Sequence, residues 1–157
     1  ALSFGLERIV TAPRDRLARS DALYGAWAAG TCLGSVGMAL HHKICHVLGG
    51  TFDLPHAETH AVILPHAAAY NDAAAAEQLA PLAAMLGASM AGVGLYDLSR
   101  KLGAPQTLAG IGMKRGDLDR AADEIVASPY WNPRPVERGA IRELLEDAFV
   151  GKRPEPE

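Results

Sequence analysis

The stretch HHKICHVLGGTFDLPH, residues 41–56, contains four of the six histidines of this 157-residue chain. The other two, His60 and His66, follow directly, so no histidine lies elsewhere. Imidazole titrates near neutral pH and is a common metal ligand. A cluster of this density indicates a chemical site as well as a packed segment.

The spacing of these histidines predicts two helices with imidazoles on one face of each. His42 and His46 are four positions apart, and His56 and His60 repeat that spacing. Side chains four apart are neighbours on a helix surface. Two such faces could bring several rings to one point, where either a divalent metal or a proton relay would suit the geometry.

Each residue of the cluster also has a plainer interpretation. His41 lies about 100° around the helix from His42, so it can be a packing or solvent residue. Cys45 is expected to be a small core residue rather than a nucleophile, because no activating group is evident nearby. Lys43 occupies the position where the H-E-x-x-H motif needs a glutamate base, which excludes that protease motif. Lys43 is then a solvated or substrate-facing charge, and His60 can be an ordinary half-buried histidine.

Outward from the cluster, apolar residues recur at helical spacing and strand alternation is absent. The pattern predicts an all-α, bundle-like domain of about seven helices over residues 1–150, followed by a charged, frayed tail at 151–157. The expected boundary signals are an N-cap at Ser20–Asp21, a stop at Gly49–Gly50, a kink at Pro65, a cap at Asn71–Asp72 and a start near Pro135.

Composition restricts the classes of protein that remain. The formal net charge is −3, with 49% apolar and 21% charged residues, and no run of basic residues predicts binding to nucleic acid or to a membrane surface. The two cysteines form no disulfide framework, which favours a reducing cytoplasm. The chain opens at Ala1 within a helical pattern, so we expect a piece of a longer protein.

At residues 30–71 the sequence GTCLGSVGMALHHKICHVLGGTFDLPHAETHAVILPHAAAYN resembles the C-terminal, helical domain of the iron-containing alcohol dehydrogenase superfamily. The shared pattern is a histidine pair four apart, then L-G, L-P-H and A-V-x-L-P-H. YWNPRPVERGAIRELLEDAF, residues 130–149, is similar to the closing segment of that superfamily. HHKICHVLGGTFDLPHAETH is most similar to its maleylacetate reductase branch.

This resemblance implies a role for several of the histidines. His42 and His56 fall on two of the metal-ligand positions, where iron or zinc would bind, and His46 falls on the histidine tied to proton transfer. In a metal-free site the same rings could bind substrate carboxylates, and Lys43 and His60 are then expected to contact the substrate. No residue of this stretch is assigned to the dinucleotide.

The resemblance also implies a fold and a reaction. The chain would be the C-terminal half of a dehydroquinate synthase-like two-domain fold, with a nucleotide-binding domain upstream and a homodimer as the assembly. The reaction would be NAD(P)H-dependent reduction of maleylacetate, a small dicarboxylate, to 3-oxoadipate in aromatic-compound degradation. The alternatives are an alcohol or carbonyl oxidoreductase of the same superfamily, and a stand-alone helical module that binds a metal or a protein without catalysis.

Overall fold

The computed structural model describes residues 1–156, and within that range the chain is helical and contains no strand. Two short 3-10 turns, Ala109–Ile111 and Arg115–Asp117, precede the sixth helix. The all-α prediction with about seven helices is confirmed. The α-helices are α1 (Leu2–Thr11), α2 (Arg16–Leu33), α3 (Leu40–Phe52), α4 (His56–Met85), α5 (Ala91–Lys101), α6 (Leu118–Val126) and α7 (Arg138–Val150).

Residues Ala1–Met38 form one compact unit, a pair of antiparallel helices. The two helices are in close contact, since a Cβ atom added at Gly25 of α2 would lie 2.6 Å from the Cβ atom of Leu2 in α1. The Asp15 carboxylate accepts hydrogen bonds from the backbone N–H groups of Leu17 and Ala18 and so caps α2. The unit is therefore held by close helix packing and by a well-formed N-cap.

A second compact unit begins at Ala39 and contains α3 to α7. Its core is a single cluster of buried apolar side chains contributed by α3, α4, α6 and α7. Periodic apolar positions on each helix supply this cluster, as expected for amphipathic helices that pack around one centre. Its largest fully buried members include Leu40, Ile44, Leu48, Ile63, Leu118, Ile125, Ile141 and Leu145.

The packing of α3 against α4 positions the histidine segment. The helices are joined by a short turn in which Asp53 adopts a left-handed conformation, with φ 55° and ψ 33°. The backbone N–H groups of both Asp53 and Leu54 donate to the carbonyl oxygen of Leu48, which closes the end of α3. The chain thereby reverses within three residues, so the end of one histidine helix leads directly into the start of the other.

Several predicted helix boundaries are wrong, although the helices themselves are present. The start of α2 is capped by Asp15 rather than by Ser20–Asp21, and α3 continues through Gly49–Gly50 to Phe52. The N-terminal boundary of α7 lies at Arg138, three residues after Pro135.

The predicted interruption of α4 also lies elsewhere. The helix passes Pro65 with regular geometry, and its one non-helical residue is Ala75, with φ −138° and ψ 27°. Asn71 caps no helix, because its side chain exchanges hydrogen bonds with that of Asn132. Pro65 is tolerated where it is buried, since packing of α5 on this part of α4 offsets the missing backbone hydrogen bond.

Residues 151–154, which follow α7, pack on α5 through hydrogen bonds instead of fraying as expected. The Tyr96 hydroxyl donates to the carbonyl oxygen of Gly151 at 2.6 Å. The Arg153 guanidinium donates two hydrogen bonds to the Asp97 carboxylate, at 2.9 and 2.6 Å, and Pro154 is buried. Within residues 1–156, no helix combines the length and the apolar character required to cross a bilayer.

Candidate functional site

Five of the six histidines form one network of ring contacts between α3 and α4. His60 of α4 is its centre, with ring centroids 4.8 Å from His41, 5.0 Å from His42 and 4.4 Å from His56. The His42 and His46 centroids are 6.1 Å apart on α3. The i, i+4 spacing on each helix and the packing of the two helices together produce this convergence.

The rings differ in their access to solvent. His46 and His56 are exposed, whereas His41, His42 and His60 are partly buried. The network therefore has an inner part between the helices and an outer part open to solvent. A small molecule could reach His46 and His56 first and then contact His42.

The inner rings are held neutral near pH 7. Burial, followed by the charges of His41, His56, His42 and His46, lowers the pKa of His60 to about 4. Burial also lowers the pKa of His42, with further lowering from its histidine neighbours. Neutral imidazoles are able to ligate a metal, and an anionic substrate would shift these rings back toward their charged form.

His41 is part of the cluster, although the sequence left its role open. Its Nε2 atom lies 3.2 Å from the carbonyl oxygen of His60. A carbonyl oxygen only accepts hydrogen bonds, so the Nε2–H tautomer donates here and Nδ1 keeps a free lone pair. Burial lowers the pKa of His41, while this hydrogen bond acts in the opposite direction.

Lys43 and His66 lie in other surroundings. The Lys43 Nζ atom is 5.9 Å from the ring centroid of Tyr130, so the ammonium group lies over an aromatic face. The His66 ring is buried on α4, 6.4 Å from the ring centroid of Tyr96, and lines a separate cavity of about 570 Å³.

Cys45 is a core residue, as expected from the sequence. Its side chain is fully buried within the core cluster, and burial raises the pKa of the thiol to about 12. A neutral, enclosed thiol is a poor nucleophile. Its sulfur nevertheless lies close to two of the imidazoles: one ligand atom from each of His41, Cys45 and His60 falls within 4.8 Å of the other two.

His42 and His56 are suitable ligands for the metal that the resemblance implies. Both flank His60, at ring centroid distances of 5.0 and 4.4 Å, and neutral imidazole nitrogens bind iron and zinc well. A four-coordinate site needs four donors, of which this pair would supply two. The two imidazoles therefore fit a divalent cation whose other coordination positions are filled by other ligands.

Comparison with known proteins gives a consistent result along the chain. Residues 2–149 match the family model described as Fe-containing alcohol dehydrogenase family, C-terminal. The maleylacetate reductase of Rhizobium sp. strain MTP-10005 is 60% identical over 143 residues, which are 91% of this chain and 40% of that protein. The maleylacetate reductase of Burkholderia cepacia is 54% identical over 154 residues, or 98% of this chain and 44% of that protein.

The fold agrees with these sequence similarities. The crystal structure of maleylacetate reductase from Agrobacterium tumefaciens is similar with a TM-score of 0.91 and 55% identity. The similarity covers 97% of this chain and 45% of that one. The chain therefore spans less than half the length of the relatives it matches.

Proposed function

Because the chain belongs to the Fe-containing alcohol dehydrogenase family and matches its C-terminal region, we propose that it is the substrate-side part of a maleylacetate reductase. The observation that carries the proposal is the convergence of five imidazoles between α3 and α4. Identity of 60% to a maleylacetate reductase across that segment and beyond supports the choice of reaction.

The proposed reaction adds hydrogen across a carbon–carbon double bond. A hydride from NAD(P)H forms a new C–H bond at the alkene carbon farther from the ketone. The π electrons move toward the ketone, and a transient enolate forms. A proton then adds to the neighbouring carbon and gives 3-oxoadipate. Such a reaction needs positive charge or hydrogen-bond donors where the enolate oxygen develops, and a proton donor beside the carbon.

The histidine cluster can meet both needs. We assign the proton-donor role to His46, which is exposed on the outer part of the cluster and adjoins His42. His60 and Lys43 are assigned to substrate binding, because a dicarboxylate needs positive partners. The two negative charges of the substrate would raise the histidine pKa values and so favour imidazolium forms that donate hydrogen bonds.

A metal and a dinucleotide complete the proposed enzyme. His42 and His56 would hold a divalent cation, iron or zinc, which supplies Lewis-acid polarisation of an oxygen atom when bound. In its absence the same rings would bind carboxylate. NAD(P)H is assigned to a nucleotide-binding domain elsewhere in the protein, and we propose a homodimer in the cytoplasm.

Replacement of His46 with phenylalanine in the complete protein tests this assignment. Loss of a positioned proton donor is expected to lower turnover about 100-fold or more, with little change in dinucleotide affinity. Glu77→Gln is the matched control, because Glu77 is exposed on α4 and lies well beyond the cluster along that helix. Steady-state kinetics with maleylacetate and NADH provides the measurement.

The same assay separates the proposal from its main alternative. Near-normal turnover of the His46→Phe variant rejects the proton-donor role. Oxidation of simple alcohols by the unmodified protein, without reduction of maleylacetate, would instead favour an alcohol oxidoreductase of the same family.

A further inference from the structure

Three side chains on the inner side of the histidine cluster have the chemistry of a metal site. Within residues 1–156, His41, Cys45 and His60 are the one group of three possible ligands whose donor atoms all lie within 4.8 Å of one another. His41 and Cys45 are four apart on α3 and share a face, and His60 approaches from α4. The group differs from the pair His42 and His56 in every member.

The group is close to the size that a cation requires. Zinc–nitrogen bonds of about 2.0–2.1 Å and zinc–sulfur bonds of about 2.3 Å place tetrahedral donors roughly 3.5 Å apart. Contraction of the donor–donor distances, from at most 4.8 Å, by up to about 1.3 Å would therefore close the site.

One polar atom in this region lacks the partner that buried groups normally have. The His60 Nε2 atom is buried and has no hydrogen-bond partner in the described part of the chain. The Cys45 thiol is free and fully enclosed beside it. Buried polar atoms are rarely left unsatisfied, and a bound ion is one accepted reason.

The hydrogen bond of His41 is also compatible with ligation. Its Nε2 atom donates to the carbonyl oxygen of His60, which leaves Nδ1 as the lone-pair nitrogen. Histidines that bind metals commonly donate their other ring N–H to a carbonyl group, which fixes the ring. The same hydrogen bond links the first and third members of the group.

We propose that His41, Cys45 and His60 form a binding site for a thiophilic divalent cation, of which Zn²⁺ is the best match. Two imidazoles and one thiolate suit zinc, and water can complete the fourth position. On binding, the metal–sulfur bond replaces the S–H bond, and the released proton passes to solvent. The cation ties α3 to α4, and with the cation bound His60 gives up the substrate contact proposed for it, which leaves that role to Lys43. This site does not depend on the proposed reductase activity.

Titration of the purified chain with Co²⁺, as a spectroscopic substitute for Zn²⁺, tests the proposal. A thiolate ligand should give an intense sulfur-to-cobalt charge-transfer absorption, which Zn²⁺ then removes by displacement. Cys45→Ser should abolish this absorption. Cys32→Ser, which replaces the other free and exposed cysteine, should leave it unchanged.

Further variants locate the ion among the histidines. Replacement of His41 with asparagine should weaken Co²⁺ affinity at least tenfold, whereas the double variant His42→Asn/His56→Asn should retain the thiolate absorption. Loss of the absorption in that double variant, or its persistence in Cys45→Ser, overturns the proposal.

X-ray absorption of the unmodified chain with one equivalent of Zn²⁺ gives an independent test without a variant. One sulfur and two imidazoles around the zinc support the site, and a coordination shell without sulfur rejects it.

Discussion

At the scale of single residues, His66 shows how burial controls the charge of an imidazole. It lies on α4 with 5% of its surface exposed, and its Nε2 atom has no hydrogen-bond partner in the described chain. Burial lowers its pKa to about 4, although the Asp147 carboxylate acts to raise it. The native protein therefore keeps this ring neutral at pH values where an unfolded chain would protonate it.

This shift predicts that acid destabilises the protein between about pH 6.5 and pH 4. Below pH 6.5 the unfolded state binds a proton at His66 and the native state does not. The free energy of unfolding therefore falls until the native His66 titrates near pH 4. A shift of this size corresponds to about 3 kcal/mol at most. His60 contributes with the same sign. The free energy of urea unfolding, measured across this range, gives the pH dependence.

His66→Phe is the variant that isolates this contribution, because it keeps an aromatic ring at the position and removes the titration. Its unfolding free energy should fall less steeply between pH 6.5 and pH 4 than that of the unmodified chain. An identical slope in both proteins would contradict a depressed native pKa at His66. Intrinsic fluorescence and circular dichroism should give the same midpoint, which checks that unfolding is two-state.

The residues of the site could be predicted in part from the sequence. Identical spacing in His42/His46 and His56/His60 was sufficient to place four imidazoles on two helix faces. His41 joined the cluster because α4 packs beside that flank of α3, and this is a tertiary relation that a helical pattern does not contain. The i, i+4 relation of His41 and Cys45 was a usable signal for the inner group.

At the scale of helices, local sequence predicted which segments are helical but not where each one ends. The stretch 15–21 offers several polar residues that can cap a helix, and Asp15 does so because its carboxylate reaches two free N–H groups. Gly49–Gly50 did not stop α3, since the turn is closed four residues later by Asp53. Tertiary packing decides between such competing signals, and sequence periodicity does not report it.

The contact between α4 and α5 predicts a large effect of one methyl group. A Cβ atom added at Gly92 would lie 2.6 Å from the carbonyl oxygen of Pro65 and 2.9 Å from the backbone nitrogen of Ala69. Because backbone atoms cannot move aside like a flexible side chain, Gly92→Ala should destabilise the chain by about 1–3 kcal/mol. Urea unfolding of the purified variant provides the measurement.

Gly139→Ala is the matched control for this prediction. Gly139 lies in the first turn of α7, and an added Cβ atom would meet no atom within 4 Å. Alanine reduces the freedom of the unfolded chain and favours helix, so this variant should be unchanged or more stable by up to about 1 kcal/mol. Equal destabilisation by both substitutions would mean that the close approach at Gly92 does not explain the loss.

At the scale of the whole molecule, the two compact units differ in how they bury apolar residues. From Ala39 onward, apolar side chains form one core between helices. In Ala1–Met38, large apolar side chains such as Leu17, Leu23 and Trp27 are 71%, 72% and 65% exposed. An apolar fraction of 49% therefore did not predict which residues are buried, because burial depends on what packs against each helix.

The absence of strands from residues 1–156 has a consequence for catalysis. Dinucleotides commonly bind where a strand leads through a glycine-rich turn into a helix, and the described residues form no such unit. If the reductase proposal is correct, this chain carries the proton donor and the substrate contacts but not the hydride source.

The purified chain mixed with NADH and maleylacetate should therefore consume no NADH above a protein-free blank. Joined to the N-terminal portion of the Rhizobium maleylacetate reductase, the same chain should restore NADH oxidation, measured by loss of nicotinamide absorbance. The joined protein with His46→Phe is the control that assigns the restored activity to this chain. NADH consumption by the isolated chain would contradict the assignment of NADH binding to another part of the protein. A joined protein that folds but is inactive would count against the proposed reductase function.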